Sequence, residues 1–422
     1  MDRRNKNLLH NIDWWTVIIY LVLVFFGWLN VYAAVYDGDH SSIFDFSCRY
    51  GKQIIWIGAA LVIALFVIIL DPKCFTQSAY VIYGIFLLML VAVLVVGSET
   101  KGAKSWFGVG DFGIQPSEFA KGATALALAK VLSSIDADFS KWRTKIASIF
   151  VIVVPMLLVF LQNDTGSALV FASFVFVLFR EGLSAYVLVF GAALIVLFVS
   201  ALLIDKYILV AILFALCLVA WLVIKRKSHR TKVWLFLVCF LISSAVVFAV
   251  DVVFDKGLEQ HQKDRIEVLL GKKEDLKGVG YNVNQSKIAI GSGGFLGKGF
   301  LNGTQTKYNF VPEQDTDFIF CTIGEEWGFI GSSITIILFL TLCIRLVKMA
   351  ERQRSKFARI YGYGVASIIF FHFFVNIGMT IGLLPVIGIP LPFISYGGSS
   401  LWAFTLLLFI FIRQDASRLE LI

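Results

Sequence analysis

Apolar runs close to the 20 residues that a helix needs to cross a hydrocarbon core recur along the whole chain. Short polar breaks separate them. The pattern predicts helices over 14–35, 53–70, 78–97, 117–134, 145–161, 166–180, 184–203, 207–224, 233–253, 328–347, 358–381 and 399–412, about twelve in all. Basic residues mark every second loop, which is how retained cytoplasmic loops are marked. They are Arg3, Arg4 and Lys6; Lys73; Lys141, Arg143 and Lys145; the cluster from Lys225 to Lys232; the cluster from Lys348 to Arg359; and Arg413. Both termini are therefore expected in the cytoplasm, with 36–52, 98–116, 255–327 and 382–398 outside. No small-residue cleavage site follows the first run, so it reads as a retained helix. The expected fold is an all-α polytopic membrane protein, one integral membrane domain over 1–422 with a large extracytoplasmic loop at 255–327.

Composition agrees. Of 422 residues, 58% are hydrophobic and 16% charged, with a mean hydropathy of +0.82; soluble chains carry roughly 25% charged residues. The net charge of +8 sits in the short loops, so it reads as a topology signal and not as a nucleic-acid surface. Six scattered cysteines without a CxxC pair indicate neither a zinc site nor a disulfide framework.

Chemistry concentrates in the external segments. Gly291 to Gly303, GSGGFLGKGFLNG, fits neither GxGxxG nor a P-loop, because Gly299 follows Lys298. Its amides either form a pyrophosphate nest or merely turn the chain. Lys287, Lys298 and Lys307 are either phosphate partners or solvated. Glu313, Asp315 and Asp317 alternate just before an apolar segment. Asp317, the last of them, stands at the water–lipid boundary, where it either accepts a hydroxyl proton or joins Thr316 in capping the next helix. Pro116-Ser117-Glu118 opens a helix whose Glu118 and Lys121, three apart, share a face; an intramembrane ion pair is a functional candidate, with a structural lock as its rival. Asp164 is a third external acid, with capping as the plainer role. His372 and Asn376, four apart, read first as interhelical hydrogen-bonding residues. The proline-broken run from Leu383 to Ser400 must be buried or line a cavity.

Taken together, KGAKSWF (Lys101 to Phe107), QPSEFAK (Gln115 to Lys121), NDTGSA (Asn163 to Ala168), GYNVNQSKIAIGSGGFLGKG (Gly280 to Gly299), GTQTKYNFVPEQDTDFIF (Gly303 to Phe320), GEEWGF (Gly324 to Phe329) and Leu384 to Gly398 resemble the SEDS family of shape, elongation, division and sporulation proteins. GTQ resembles the elongation members more than the division members. The resemblance implies a glycosyltransferase that polymerises lipid II into glycan strands at the outer face of the bacterial cytoplasmic membrane. A class B penicillin-binding protein is the implied partner. It implies Asp317 as the essential acid, with Glu118 and Lys121 as its companion pair. Trp106, Asp164, Lys287, Lys298, Gln305, Glu325 and Ser395 are the candidate substrate contacts. A divalent cation is a candidate cofactor, but no ligand set for a metal is legible. Two departures stand out: a hydrophobic pair beyond the family's core of ten helices, within 184–253, and Asp315 where relatives often carry histidine. The competing class is a transporter, a lipid II flippase or another secondary carrier, whose site must open to both sides.

Overall fold

The computed structural model describes residues 11–36, 45–100, 103–109, 112–134, 139–227, 233–252, 254, 260–270, 272, 279–308 and 310–419. Two compact units emerge: Met1–Gly182 with Tyr281–Ile422, and Leu183–Gly280. The first contains α1 (Trp14–Val35), α2 (Arg49–Ile69), α3 (Pro72–Val96), α4 (Pro116–Leu132) and α5 (Trp142–Leu161). α6 (Thr165–Val170) and α7 (Phe174–Arg180) follow, joined by a 3₁₀ turn at Phe171–Ser173. The second unit holds α8 (Ala185–Leu203), α9 (Lys206–Lys227), α10 (Val233–Val252) and α11 (Gln260–Leu269). The chain then returns to the first unit through α12 (Val279–Ser292), α13 (Thr304–Lys307), α14 (Ile319–Glu351), α15 (Lys356–Thr380) and α16 (Gly398–Ala416). Among the described residues, eight helices are long and apolar enough to cross a membrane. The chain is a multi-pass membrane protein, and each of the twelve expected segments is helical.

In the first unit, α4 is the centre. Its alanines at 120, 123, 125, 127 and 129 are buried, and helices α3, α5, α15 and α16 pack around it. Small side chains let helix backbones approach closely, which is where van der Waals packing gains most in a membrane. α15 is also buried along nearly its whole length, from Phe357 to Thr380. α14 packs on α1 and α15, and α16 packs on α2. Tyr20 of α1 reaches Thr405 of α16, their hydroxyls 3.0 Å apart.

At one end of this bundle, charged side chains lock helix termini. Asp13 caps α1, accepting from Thr16 N at 3.1 Å, and pairs with Arg345 Nη2 at 2.5 Å. Burial opposes ionisation of Asp13, yet the hydrogen bonds from Arg345 and Thr16 outweigh it and hold the carboxyl below its usual value. Arg352 bridges Asp13 and Asp415, so α1, α14 and α16 end in one network.

Two boundaries differ from the periodicity. α14 starts at Ile319, where the apolar run suggests 328, because Gly328 (φ 62°) joins a polar helical segment to the apolar one. Glu325 and Glu326 thus lie in a helix rather than in a loop. The expected loop 98–116 carries a small antiparallel ribbon, β1 (Ser98–Thr100), β2 (Ala103–Val109) and β3 (Phe112–Ile114), in that spatial order. Val109 pairs with Phe112, so β2 and β3 run antiparallel. Lys104 N donates to Gln162 O at 3.0 Å, tying the ribbon to the turn after α5. Among the described residues, this ribbon is the only β-structure and the other regular elements are helices.

Within the second unit, α9 and α10 pack through Phe214 against Phe240, ring centroids 5.4 Å apart and edge-on. α8 is apolar on every side and buries none of its residues, the mark of a helix facing lipid.

Candidate active site

Asp317 precedes α14, whose cap position is Phe318, so neither Thr316 nor Asp317 occupies it. What fixes this acid segment is the proline-broken run after α15. Ser395 Oγ donates to Thr316 O at 2.7 Å, and Tyr396 N donates to Asp315 O at 2.9 Å. Asn376 Nδ2 donates to Asp317 O and to Ile389 O, both at 2.8 Å. Three consecutive carbonyls are therefore held from one side. The half-buried Asp317 carboxylate lies beside Gly388, where an added Cβ would come within 3.3 Å of Oδ2. Gly388 is also at φ 69°, so this position disfavours a side chain on both counts. Ser395, expected to touch substrate, acts here as a backbone clamp.

Asp315, two residues away, is only 3% exposed and receives Arg49 Nη1 on both oxygens, at 2.9 and 2.7 Å. The Arg49 side chain remains 55% exposed. Both Asp315 oxygens are engaged by the guanidinium, whereas the cation itself stays open to a ligand.

Glu118 and Lys121 meet as expected, with Nζ 2.8 Å from Oε1 and both side chains almost wholly buried. A third member joins them. His372 Nε2 is 2.9 Å from Lys121 Nζ, while its Nδ1 faces Pro390 O at 3.2 Å. Because a carbonyl only accepts, Nδ1 carries the proton and Nε2 accepts from the ammonium. The Phe404 ring closes the group, 5.5 Å below Lys121 Nζ and edge-on to His372. His372 and Asn376 share one face of α15, so the ion pair and the acid segment are fastened to neighbouring carbonyls of the proline-broken segment, Pro390 and Ile389.

Asp164 caps α6, accepting from Ser167 N at 3.0 Å, and its second oxygen accepts from Gln115 Nε2 at 2.8 Å. Gly166 lies against the same proline-broken segment, where an added Cβ would meet Ile387 O at 2.2 Å. Capping and site assembly coincide. Lys287 extends over Gly382 just past the end of α15, an exposed cation beside the start of the proline-broken segment. Trp106 packs across β3, where an added Cβ on Gly113 would meet its ring at 2.7 Å.

The glycine-rich run has a different role from a phosphate nest. Lys298 N donates to Glu325 O and Gly299 N to Glu326 O, each at 3.0 Å. Phe329 N donates to Gly294 O at 3.0 Å. The run zips onto the start of α14 backbone to backbone, and those amides are consumed. Glu325, fully buried, accepts from Lys298 Nζ at 2.7 Å, Gln305 N at 2.8 Å and Thr306 N at 2.9 Å. Lys298, Gln305 and Glu325 thus come together with one another. Gly297 shows why only glycine fits: φ is 82° and an added Cβ would lie 2.1 Å from Glu326 O. Gly297→Ala is expected to lower the melting temperature of the detergent-solubilised protein by more than Gly294→Ala. Gly294 shares the left-handed backbone (φ 57°) but has open space, so its variant loses only the roughly 1–2 kcal/mol of backbone strain. Equal shifts would remove the close-packing account.

Among the described residues no group of three histidine, cysteine or acidic side chains is placed to hold a metal. Asp315 is paired with Arg49 and Glu325 with Lys298.

The family model of the cell cycle proteins FtsW, RodA and SpoVE matches residues 13–237 and 195–419. The chain belongs to this family. Among relatives, the peptidoglycan glycosyltransferase RodA of Treponema pallidum is 33% identical over 416 residues, covering 92% of this chain and 94% of its own. The peptidoglycan glycosyltransferase MrdB of Escherichia coli K12 is 35% identical over 351 residues, covering 83% and 81%. A solved peptidoglycan synthase complex, concerned with coordinating polymerisation and crosslinking, contains a chain with the same fold. It has a TM-score of 0.70 at 27% identity, covering 97% of this chain and 99% of that one.

For this FtsW/RodA/SpoVE family member, sequence reasoning found both halves of the site but not what joins them. Arg49 gave no signal, as one base at the start of an apolar run. His372 and Asn376 did: two polar residues on one face of an apolar helix, followed by broken backbone, announce buried partners.

Proposed function

We propose that the protein is a peptidoglycan glycosyltransferase that polymerises lipid II into glycan strands during cell elongation, at the outer face of the cytoplasmic membrane. The observation that carries the reading is the clamped acid segment, which leaves Asp317 half-buried beside a glycine while its neighbour Asp315 is neutralised by Arg49. In the reaction, the 4-hydroxyl of the acceptor sugar attacks C1 of the donor sugar. The new C–O bond forms as the bond to undecaprenyl pyrophosphate breaks, and Asp317 takes the hydroxyl proton. Displacement from the opposite face inverts the anomeric centre. Pyrophosphate leaves as an anion already stable in water, so it needs cations and no proton donor. Arg49 is an exposed cation bordering the acid segment and suits that role, and Lys287 is a second exposed cation, beside Gly382 at the end of α15. Glu118 and Lys121, both buried, position: through His372 they hold the proline-broken segment that faces Asp317. No step is routed through a metal.

A class B penicillin-binding protein is the proposed partner, supplying the crosslinking that a polymerase lacks. The loop charges support a topology with both termini in the cytoplasm. The test is reconstitution. Purified protein with that partner and labelled lipid II is expected to yield long glycan strands. Translocation of lipid II across vesicles without strand formation would replace the reading by a transporter.

A further inference from the structure

The glycine-rich run is zipped onto two adjacent glutamates, and the two are held in different ways. Both precede the break at Gly328. α14 has 33 residues, a length of about 50 Å against roughly 30 Å of hydrocarbon. Its apolar stretch begins after that break, so the polar start lies outside the spanning part.

Glu325 is satisfied as an anion. Burial opposes its ionisation, yet the hydrogen bonds from Lys298 and from the amides of Gln305 and Thr306 outweigh it and hold the carboxyl below its usual value. Glu326 is 2% exposed and has no ion-pair partner among the described residues. Its Oε1 accepts from Leu301 N at 3.2 Å, and its Oε2 has no hydrogen-bond partner. A buried oxygen in that state is far costlier ionised than as a hydroxyl. Burial raises this carboxyl, the Leu301 amide pulls the other way and the Glu325 charge adds to the rise, leaving it at about 7 instead of 4.5. The other charged groups on the elements packed here are engaged or turned away. Lys298 pairs with Glu325, Lys307 is exposed at the end of α13, Lys287 of α12 lies over Gly382, His372 of α15 meets Lys121, and α1 carries no charge.

The other side of the Glu326 bond is strained. Leu301 has φ 63°, a left-handed backbone that disfavours any residue with a side chain. Phe300 beside it leans on Trp327, ring centroids 6.1 Å apart. A strained turn is thus fastened to α14 through one carboxyl, while the next three residues are fastened through its neighbour.

We propose that Glu326 is a proton-operated latch: as the neutral acid it holds the turn at 301–303 against α14, and as the anion, beside the Glu325 anion, it moves into water and releases that turn. Glu325 keeps 304–306 in place in both states. The latch rests on no assignment of activity. Its sign follows from the proton count. The closed turn keeps a proton that the open turn, with an ordinary carboxyl, gives up. Closure is therefore fully stabilised below about pH 4.5, weakens as the pH rises to about 7 and changes no further above that.

The test is hydrogen exchange of the full chain in detergent, read at single-residue resolution by mass spectrometry between about pH 5 and 9. Divided by the intrinsic base-catalysed rate, exchange of the Leu301 amide is expected to rise by up to roughly tenfold per pH unit from pH 5 to 7 and then to level off. The amides of Gln305 and Thr306, bound to the Glu325 anion, are expected to stay flat over the same range. Glu326→Gln, uncharged at every pH, is expected to keep the Leu301 amide protected and to erase the slope. A flat wild-type profile or an undiminished slope in Glu326→Gln would overturn the proposal. So would an equal slope at Gln305 and Thr306, the mark of general loosening.

Discussion

Asp317→Asn is expected to abolish glycan polymerisation, by at least the roughly 10²-fold that a positioned general base contributes, while expression and partner binding persist. The change is isosteric. It leaves the Asp317 carbonyl bonded to Asn376, so the clamp on the segment is untouched. Only the capacity to accept a proton goes. Strand length measured from labelled lipid II checks it, and full activity in the variant would remove Asp317 from the chemistry. Asp315→Asn is a useful contrast, since it weakens the bridge to Arg49 without removing the base.

The second large effect concerns stability as much as rate. Lys121→Met leaves Glu118 as a buried charge whose Oε2 already lacks a hydrogen-bond partner. Breaking such a pair costs about 3–5 kcal/mol, most of it the penalty for the orphaned charge. The single variant is therefore expected to melt well below wild type. Glu118→Gln added to Lys121→Met removes the charge and is expected to restore most of that loss. Polymerisation should stay low in both variants, because the ammonium that His372 Nε2 accepts from has gone. Melting temperature and strand synthesis are read in parallel. A double variant as unstable as the single one would refute the orphaned-charge account, and a fully active double variant would make the pair a lock and nothing more.

The sequence made the helices legible because apolar runs near 20 residues have few alternative readings in a chain so poor in charge. It misplaced the start of α14, because Glu325 and Glu326 look solvated when their partners, the amides of Gln305, Thr306 and Leu301, are not known to be near. The ribbon at 98–114 escaped notice because two of its strands are three residues long, too short for an alternation to register. Glu118 and Lys121 were legible as a pair by helix geometry. Their link to His372 was not, because nothing local connects residues 251 positions apart. The glycine run was ambiguous for a similar reason: a nest and a close-packed seam demand the same residue, and only the neighbouring backbone distinguishes them.

One consequence of the α15 arrangement concerns phase. His372 and Asn376 serve their two carbonyls only because four residues bring them back to nearly the same azimuth, at 100° per residue. Inserting or deleting a single residue between them would swing one side chain by about 100° and cut loose either the ion pair or the acid segment. Length change within that single turn is therefore intolerable, and the interval from 372 to 376 works as a fixed gauge against which the two halves of the site are set.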